Sequence, residues 1–138
     1  MRYLSIDLGT KRTGLAVGDD ITRIVTPAGT IETLNPDQWI HLLKQAISEH
    51  QPDALVVGLP LNMDGTEGQP AKDARKRSRQ LHDQTGLIVH LMDERLTSES
   101  ANQMMSRSGL THRGKKARRD SLAASAILSR FLEHQSLP

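Results

Sequence analysis

With 138 residues, 36% of them hydrophobic, the chain can build one domain with a real core, spanning 1–138, but not two lobes that close on a cleft. The absence of cysteine excludes a disulfide framework and a zinc-thiolate site, and no apolar run approaches a membrane span. Met1-Arg2-Tyr3-Leu4 enters a strand with no apolar signal segment, so a cytoplasmic protein is expected. The net charge of +2 hides an uneven distribution: cations gather between Lys72 and Arg79 and between Arg113 and Arg119, a pattern that suits a polyanion as well as a solvated helix face.

In chain order, Arg2 to Asp7, Thr13 to Gly18 and Ile24 to Ile31 read as strands separated by short polar turns, which predicts an antiparallel meander. Asn35-Pro36-Asp37-Gln38 starts a helix, with Asn35 as N-cap, Pro36 in the first turn and Gln38 placed to complete a capping box. Trp39, Leu42, Leu43, Ala46 and Ile47 form its inward stripe, and Pro52-Asp53 ends it. Ala54 to Pro60 is a continuous apolar run of the kind buried on both faces of a sheet, hence a central parallel strand. Pro70 opens a second helix, whose seam Ala71, Ala74, Ser78 and Leu81 leaves Lys72, Arg75, Lys76, Arg77 and Arg79 to solvent, and Gly86 closes it. Leu87 to Met92 is a last strand, Thr97 caps a helix through Met105, and Asp120 to Leu132 is a terminal helix. Meander followed by strand, helix and strand gives an α/β fold, a mixed five-stranded sheet flanked by helices.

Three acids fall at element ends that such a sheet can bring together. Asp7 ends an apolar strand, where an uncompensated carboxylate is costly; it either holds a cation or accepts N–H bonds in a tight turn. In Asp93-Glu94 side chains alternate in direction, so at most one faces Asp7; Glu94 is the choice and Asp93 its substitute. Asp120 serves as a helix N-cap or as the third member. Carboxylate oxygens without cysteine or closely spaced histidine select hard ions, so magnesium or manganese is expected. Lys11 and Arg95 stand ready for phosphate charge, or are surface cations with acid partners. Asn62 to Gly68 either cups phosphate or simply connects strand to helix. Ser108 to Arg119, carrying Arg113, Lys115, Lys116, Arg118 and Arg119, reads as a mobile loop that orders over a sugar-phosphate backbone. Aromatic residues make up only 2% of the chain, which favours recognition by backbone and shape over base stacking.

Four ordered stretches, SIDLGTKRTGLAVGD, VVGLPLNMDGTEG, MDERLTSESA and RRDSLAASAI, resemble the motifs of the YqgF family, also described as RuvX or Holliday-junction-resolvase-like. The resemblance spans nearly the whole chain. It implies a ribonuclease H-like fold, a nuclease that matures the 5′ end of pre-16S rRNA, and Asp7, Glu94 and Asp120 as an acidic site. It implies two metal ions: one held by Asp7 and Asp120 to activate water, a second shared by Asp7 and Glu94 to stabilise the leaving oxygen. The one departure, Leu96-Thr97-Ser98 where the family has Leu-Ser-Thr, keeps a hydroxyl for the helix cap.

Rival readings are a Holliday-junction resolvase acting on branched DNA, a non-catalytic RNA-binding module, and a nucleotide-handling kinase or ATPase. A resolvase needs two symmetric sites and so a stable dimer, whereas the rRNA reading allows a monomer or weak dimer working on a ribosomal precursor particle. Length and the lack of a Walker A motif argue against the kinase.

Overall fold

The structure, a computed structural model, describes residues 1–9, 11–95 and 112–135; the side chains of 112–120 and 135 lie outside the described set, as does the expected helix from Thr97 to Met105. Five strands, β1 (Arg2–Leu8), β2 (Arg12–Asp19), β3 (Val25–Glu32), β4 (Ala54–Leu59) and β5 (Ile88–Asp93), form one sheet in the order β3-β2-β1-β4-β5. The first three pair antiparallel, and β1, β4 and β5 run parallel. Pro27 is accommodated in β3 because that strand is an edge, where a missing N–H need cost no ladder bond.

Helix α1 (Pro36–His50) starts where expected, with the Asn35 side chain accepting from the N–H groups of Asp37 and Gln38. The expected capping box is replaced by a relay. Gln38 accepts from the Thr33 hydroxyl at 2.6 Å, and Thr33 accepts from the Asn35 N–H at 3.1 Å. Ile40, outside the expected stripe, is buried beside Trp39 and Leu43. Helix α2 (Gln69–Thr85) buries the expected seam Ala71, Ala74, Ser78 and Leu81 and ends at Gly86 in the left-handed conformation.

The main correction concerns the last helix: α3 runs from His112 to Gln135, so Asp120 lies inside it and is not its N-cap. The basic stretch from Arg113 to Arg119 is therefore helical backbone, not a loop. Its lysines, arginines and Ala117 are good helix formers, the single Gly114 costs only about 1 kcal/mol, and extending a packed helix avoids the nucleation penalty.

Strand alternation sorts the two faces. Leu4, Ile6, Leu55 and Val57 point to α1 and α2, meeting Trp39, Leu43 and Leu81. Tyr3, Ala54 and Val56 point to α3, meeting Ile127, Leu128, Phe131 and Leu132. On this second face α3 sits close because β2 offers small residues: a side chain at Gly18 would come within 3.2 Å of Leu128. Two buried hydroxyls tie helix to sheet. Ser5 donates to the Ala124 carbonyl at 2.7 Å and Ser121 donates to the Leu15 carbonyl at 3.1 Å, so neither polar group is left unmatched in the core.

Candidate active site

Because β1, β4 and β5 are parallel, their carboxyl ends lie along one edge, the place where open α/β sheets present ligand sites. Asp7 stands near the end of β1, and Glu94 follows directly on the end of β5, with its N–H donating to the Leu59 carbonyl of β4 at 3.3 Å. Between them β4 contributes Gly58. A side chain there would strike the Glu94 carboxylate and come within 2.7 Å of Ile127 of α3. On the other flank Asp7 is paired with Gly14 of β2. The acid on β1 thus has glycine at its cross-strand neighbour on one side and, one register step beyond Ile6 and Val57, glycine on the other. This clears the room in which two carboxyl groups meet over the α3 face of the sheet.

Meet they do: Glu94 is hydrogen-bonded to Asp7, and its pKa is pushed from 4.5 up to about 7. Burial is the largest cause, followed by the Asp7 charge, the shared hydrogen bond and, last, Asp93. The pair lines an open pocket of about 320 Å3 walled by Pro60, Leu61, Met63, Arg95, Ala123 and Ile127. Asp120 lies in α3 one turn before Ala123, and its side chain is outside the described residues. Among the described residues no group of three His, Cys, Asp or Glu gathers as a metal site. The described part of the site is a two-carboxylate centre.

Asp93 faces the opposite way. Arg95 donates to it from Nε and from Nη2, the latter at 2.7 Å, and this partner holds the Asp93 carboxyl below its ordinary value. Arg95 also reaches the Met63 carbonyl at 3.3 Å. Lys11 and Arg12 each lie 3.9 Å from Glu32 in exposed contacts of little energetic weight. Both cations expected to meet phosphate therefore have acid partners in this state. The side chains of Arg113, Lys115, Lys116, Arg118 and Arg119 lie outside the described residues.

The loop after β4 is tied to itself. Asn62 N–H donates to Thr66 O, Gly65 N–H to Asn62 O, and Thr66 N–H to Asp64 Oδ1, so those three donors are not offered to a phosphate. Pro60, Leu61 and Met63 enter the site as walls, a role the sequence reading did not assign. Gly58 was likewise missed as a site residue. Its signal was present, since a glycine inside a buried strand marks a close approach.

A family model described as RuvX: Holliday junction resolvase matches residues 1–134. The chain belongs to the RuvX family. Relatives named "Putative pre-16S rRNA nuclease" include one from Anaeromyxobacter sp. (strain Fw109-5), 38% identical over 96% of this chain and 97% of its own, and one from Legionella pneumophila (strain Lens), 41% identical over 95% and 94%. Among solved structures, the Fowlpox virus resolvase in complex with Holliday junction DNA superposes with a TM-score of 0.64 at 11% identity, covering 99% of this chain and 100% of that one. The T. thermophilus RuvC complex gives 0.61 at 16%, covering 98% and 95%. These likenesses establish the ribonuclease H-like fold, and family membership makes this chain a nuclease-class enzyme. Among the described residues no helix is long and apolar enough to cross a membrane.

Proposed function

We propose that this chain is a metal-dependent endonuclease that matures the 5′ end of pre-16S rRNA, with Asp7, Glu94 and Asp120 as its catalytic carboxylates. The observation that carries the reading is the Asp7–Glu94 contact over Gly58, with Glu94 raised to about 7. Two acids pressed together in a partly desolvated pocket are unfavourable when both are charged, and a divalent cation reverses that penalty. Hard oxygen donors without sulfur or imidazole suit magnesium or manganese, so the residues fit the group. Asp7, Glu94 and Asp120 would hold the cations, taken as a pair. Bound there, the metal supplies an activated water and neutralises charge on the phosphate and the departing oxygen.

The protein's own contribution is positional. Glu94 must give up its proton before it can ligate, and Gly14 and Gly58 keep the space beside Asp7 clear of side chains. Pro60, Leu61 and Ile127 give the pocket apolar walls beside the reacting phosphate. Arg95, released from Asp93, and Lys11, released from Glu32, take phosphate charge, and Arg113, Lys115, Lys116, Arg118 and Arg119 extend the contact along the backbone. The absence of cysteine accords with work in the cytoplasm, on a ribosomal precursor particle, by a monomer or weak dimer.

The test compares wild type, Asp7→Asn, Glu94→Gln and Asp120→Asn on structured pre-16S RNA and on four-way DNA junctions, with and without magnesium or manganese. Cleavage of the RNA by wild type alone, and only with metal, is expected. Preferential cleavage of the junction would move the substrate to branched DNA. Equal cleavage by wild type and Asp7→Asn would overturn the assignment of the site.

A further inference from the structure

The nuclease reading leaves the basic run of α2 unused. Within Gln69–Thr85 stand Lys72, Arg75, Lys76, Arg77 and Arg79 against only Asp73 and Asp83, so this one helix carries more positive charge than the +2 of the whole chain. Asp83 stands one turn beyond Arg79 on the same side of the helix, and two further acids near these cations, Glu67 and Asp73, are engaged. Glu67 holds Arg75 in a two-point contact, and Asp73 accepts from the Gln69 side chain at 2.9 Å. Among the described residues Lys72, Lys76, Arg77 and Arg79 have no carboxylate within ion-pair distance. Lys72, Lys76 and Arg79 follow the i, i+4, i+7 spacing, share one exposed stripe, and span about 10 Å of helix.

Arg77 is held differently. Its guanidinium lies over the Trp39 ring, 4.9 Å from the centroid, while the indole N–H is fixed by the Thr13 hydroxyl at 2.9 Å. A half-buried cation is thus oriented without being neutralised. It borders a pocket of about 310 Å3 lined also by Lys76, Asn35 and Gly9. Gly9 follows Asp7 by two residues, so this pocket, on the α1 and α2 face, and the acidic centre, on the α3 face, both stand at the carboxyl end of β1.

We infer that the α2 stripe Lys72, Lys76 and Arg79, together with the Trp39-backed Arg77, is a second nucleic-acid contact, which takes the sugar-phosphate backbone of the substrate strand as it continues from the acidic pocket over the Gly9 turn. This rests on the nuclease reading for the identity of the strand, but its own signature is electrostatic. Three exposed cations that contact phosphate contribute about 0.7 each to the salt dependence of single-strand binding.

The experiment measures binding of a long single-stranded pre-16S RNA segment to Lys72→Gln/Lys76→Gln/Arg79→Gln across a salt series, in the Asp7→Asn background so that nothing is cut. Affinity at low salt is expected to fall at least tenfold and the log–log salt slope to flatten by about 2. The charge-keeping variant Lys72→Arg/Lys76→Arg/Arg79→Lys, measured beside it, is expected to retain both. With Asp7 restored, cleavage of a short RNA that covers only the acidic pocket keeps its rate, while cleavage of the long RNA gains KM. An unchanged affinity and slope in the neutralised variant, with its far-ultraviolet spectrum intact, would overturn the contact. If the slope flattens although wild type cleaves neither RNA, the contact stands and the nuclease reading falls.

Discussion

Asp93 and Glu94 are neighbours in sequence and opposites in environment. Asp93 points to one side of the sheet end, accepts from both the guanidinium and the backbone N–H of Arg95, stays partly exposed, and has its carboxyl held below the ordinary value. Glu94 points to the other side, is largely buried, meets another acid instead of a cation, and is raised to about 7. One peptide unit of strand alternation therefore separates an acid paired with a cation from an acid paired with another acid. The first is a structural ion pair; the second is the carboxyl contact on which the proposed cation site rests.

The comparison breaks most completely at Asp7. Asp7→Asn should remove cleavage by about a thousandfold or more, equivalent to about 4 kcal/mol of transition-state stabilisation, with RNA affinity retained; single-turnover rates and a binding titration check both halves. The same change should let the Glu94 pKa fall, because it removes the neighbouring charge.

Next comes the pH dependence. The folded state holds a proton on Glu94 that the unfolded chain releases near 4.5, so the folded state binds more protons between pH 4.5 and about 7. In metal-free protein, stability should consequently fall as pH rises through that window, by about 3 kcal/mol at 1.36 kcal/mol per pH unit. Denaturant melts at successive pH values should show the slope in wild type and lose most of it in Glu94→Gln. Saturating magnesium should reduce the slope as well.

Gly58→Ala sharpens the geometric part of the comparison. Its methyl group would occupy the space of the Glu94 carboxylate and crowd Ile127, at a cost of about 1–3 kcal/mol in stability. Metal affinity, followed by calorimetric titration, should weaken by more than the loss of stability accounts for, because Glu94 is pushed away from Asp7. The smallest effect belongs to Asp93→Asn. Its pair with Arg95 is a third exposed on either side and worth about 0–1 kcal/mol, so the melt should barely move and cleavage should change less than tenfold.

The outline of the sheet was legible because strands of alternating or continuous apolar character, Asn35 as a cap and Gly86 as a stop are local signals. The Asp7–Glu94 meeting was legible in part, since both residues sit at strand ends and alternation lets only one of Asp93 and Glu94 face Asp7, without saying which. What escaped was set by tertiary contact. The start of α3 at His112 depends on extension from a helix that is already packed, which turn residues such as Gly114 conceal. Spacing places Trp39 on the core stripe of its helix and Arg77 among the solvated cations, yet in the fold the guanidinium lies over the ring face. Gly58 looked like one more small residue in an apolar strand until the carboxylate above it was visible.

The hydroxyl ties at Ser5–Ala124 and Ser121–Leu15 pin α3 to β1 and β2 just past Asp120, and would be the pivot of any tilt of its first turns. Asp120 is the residue next to that pivot, whereas Arg113 stands eight residues out, about 12 Å along the axis. For any rocking of the rod, travel grows with distance from the hinge point. A degree of tilt therefore hardly displaces the backbone at Asp120 while it sweeps the far end across a much wider arc. On the proposed nuclease reading, the restrained stretch of the helix carries Asp120, and the basic residues stand on the stretch beyond the ties.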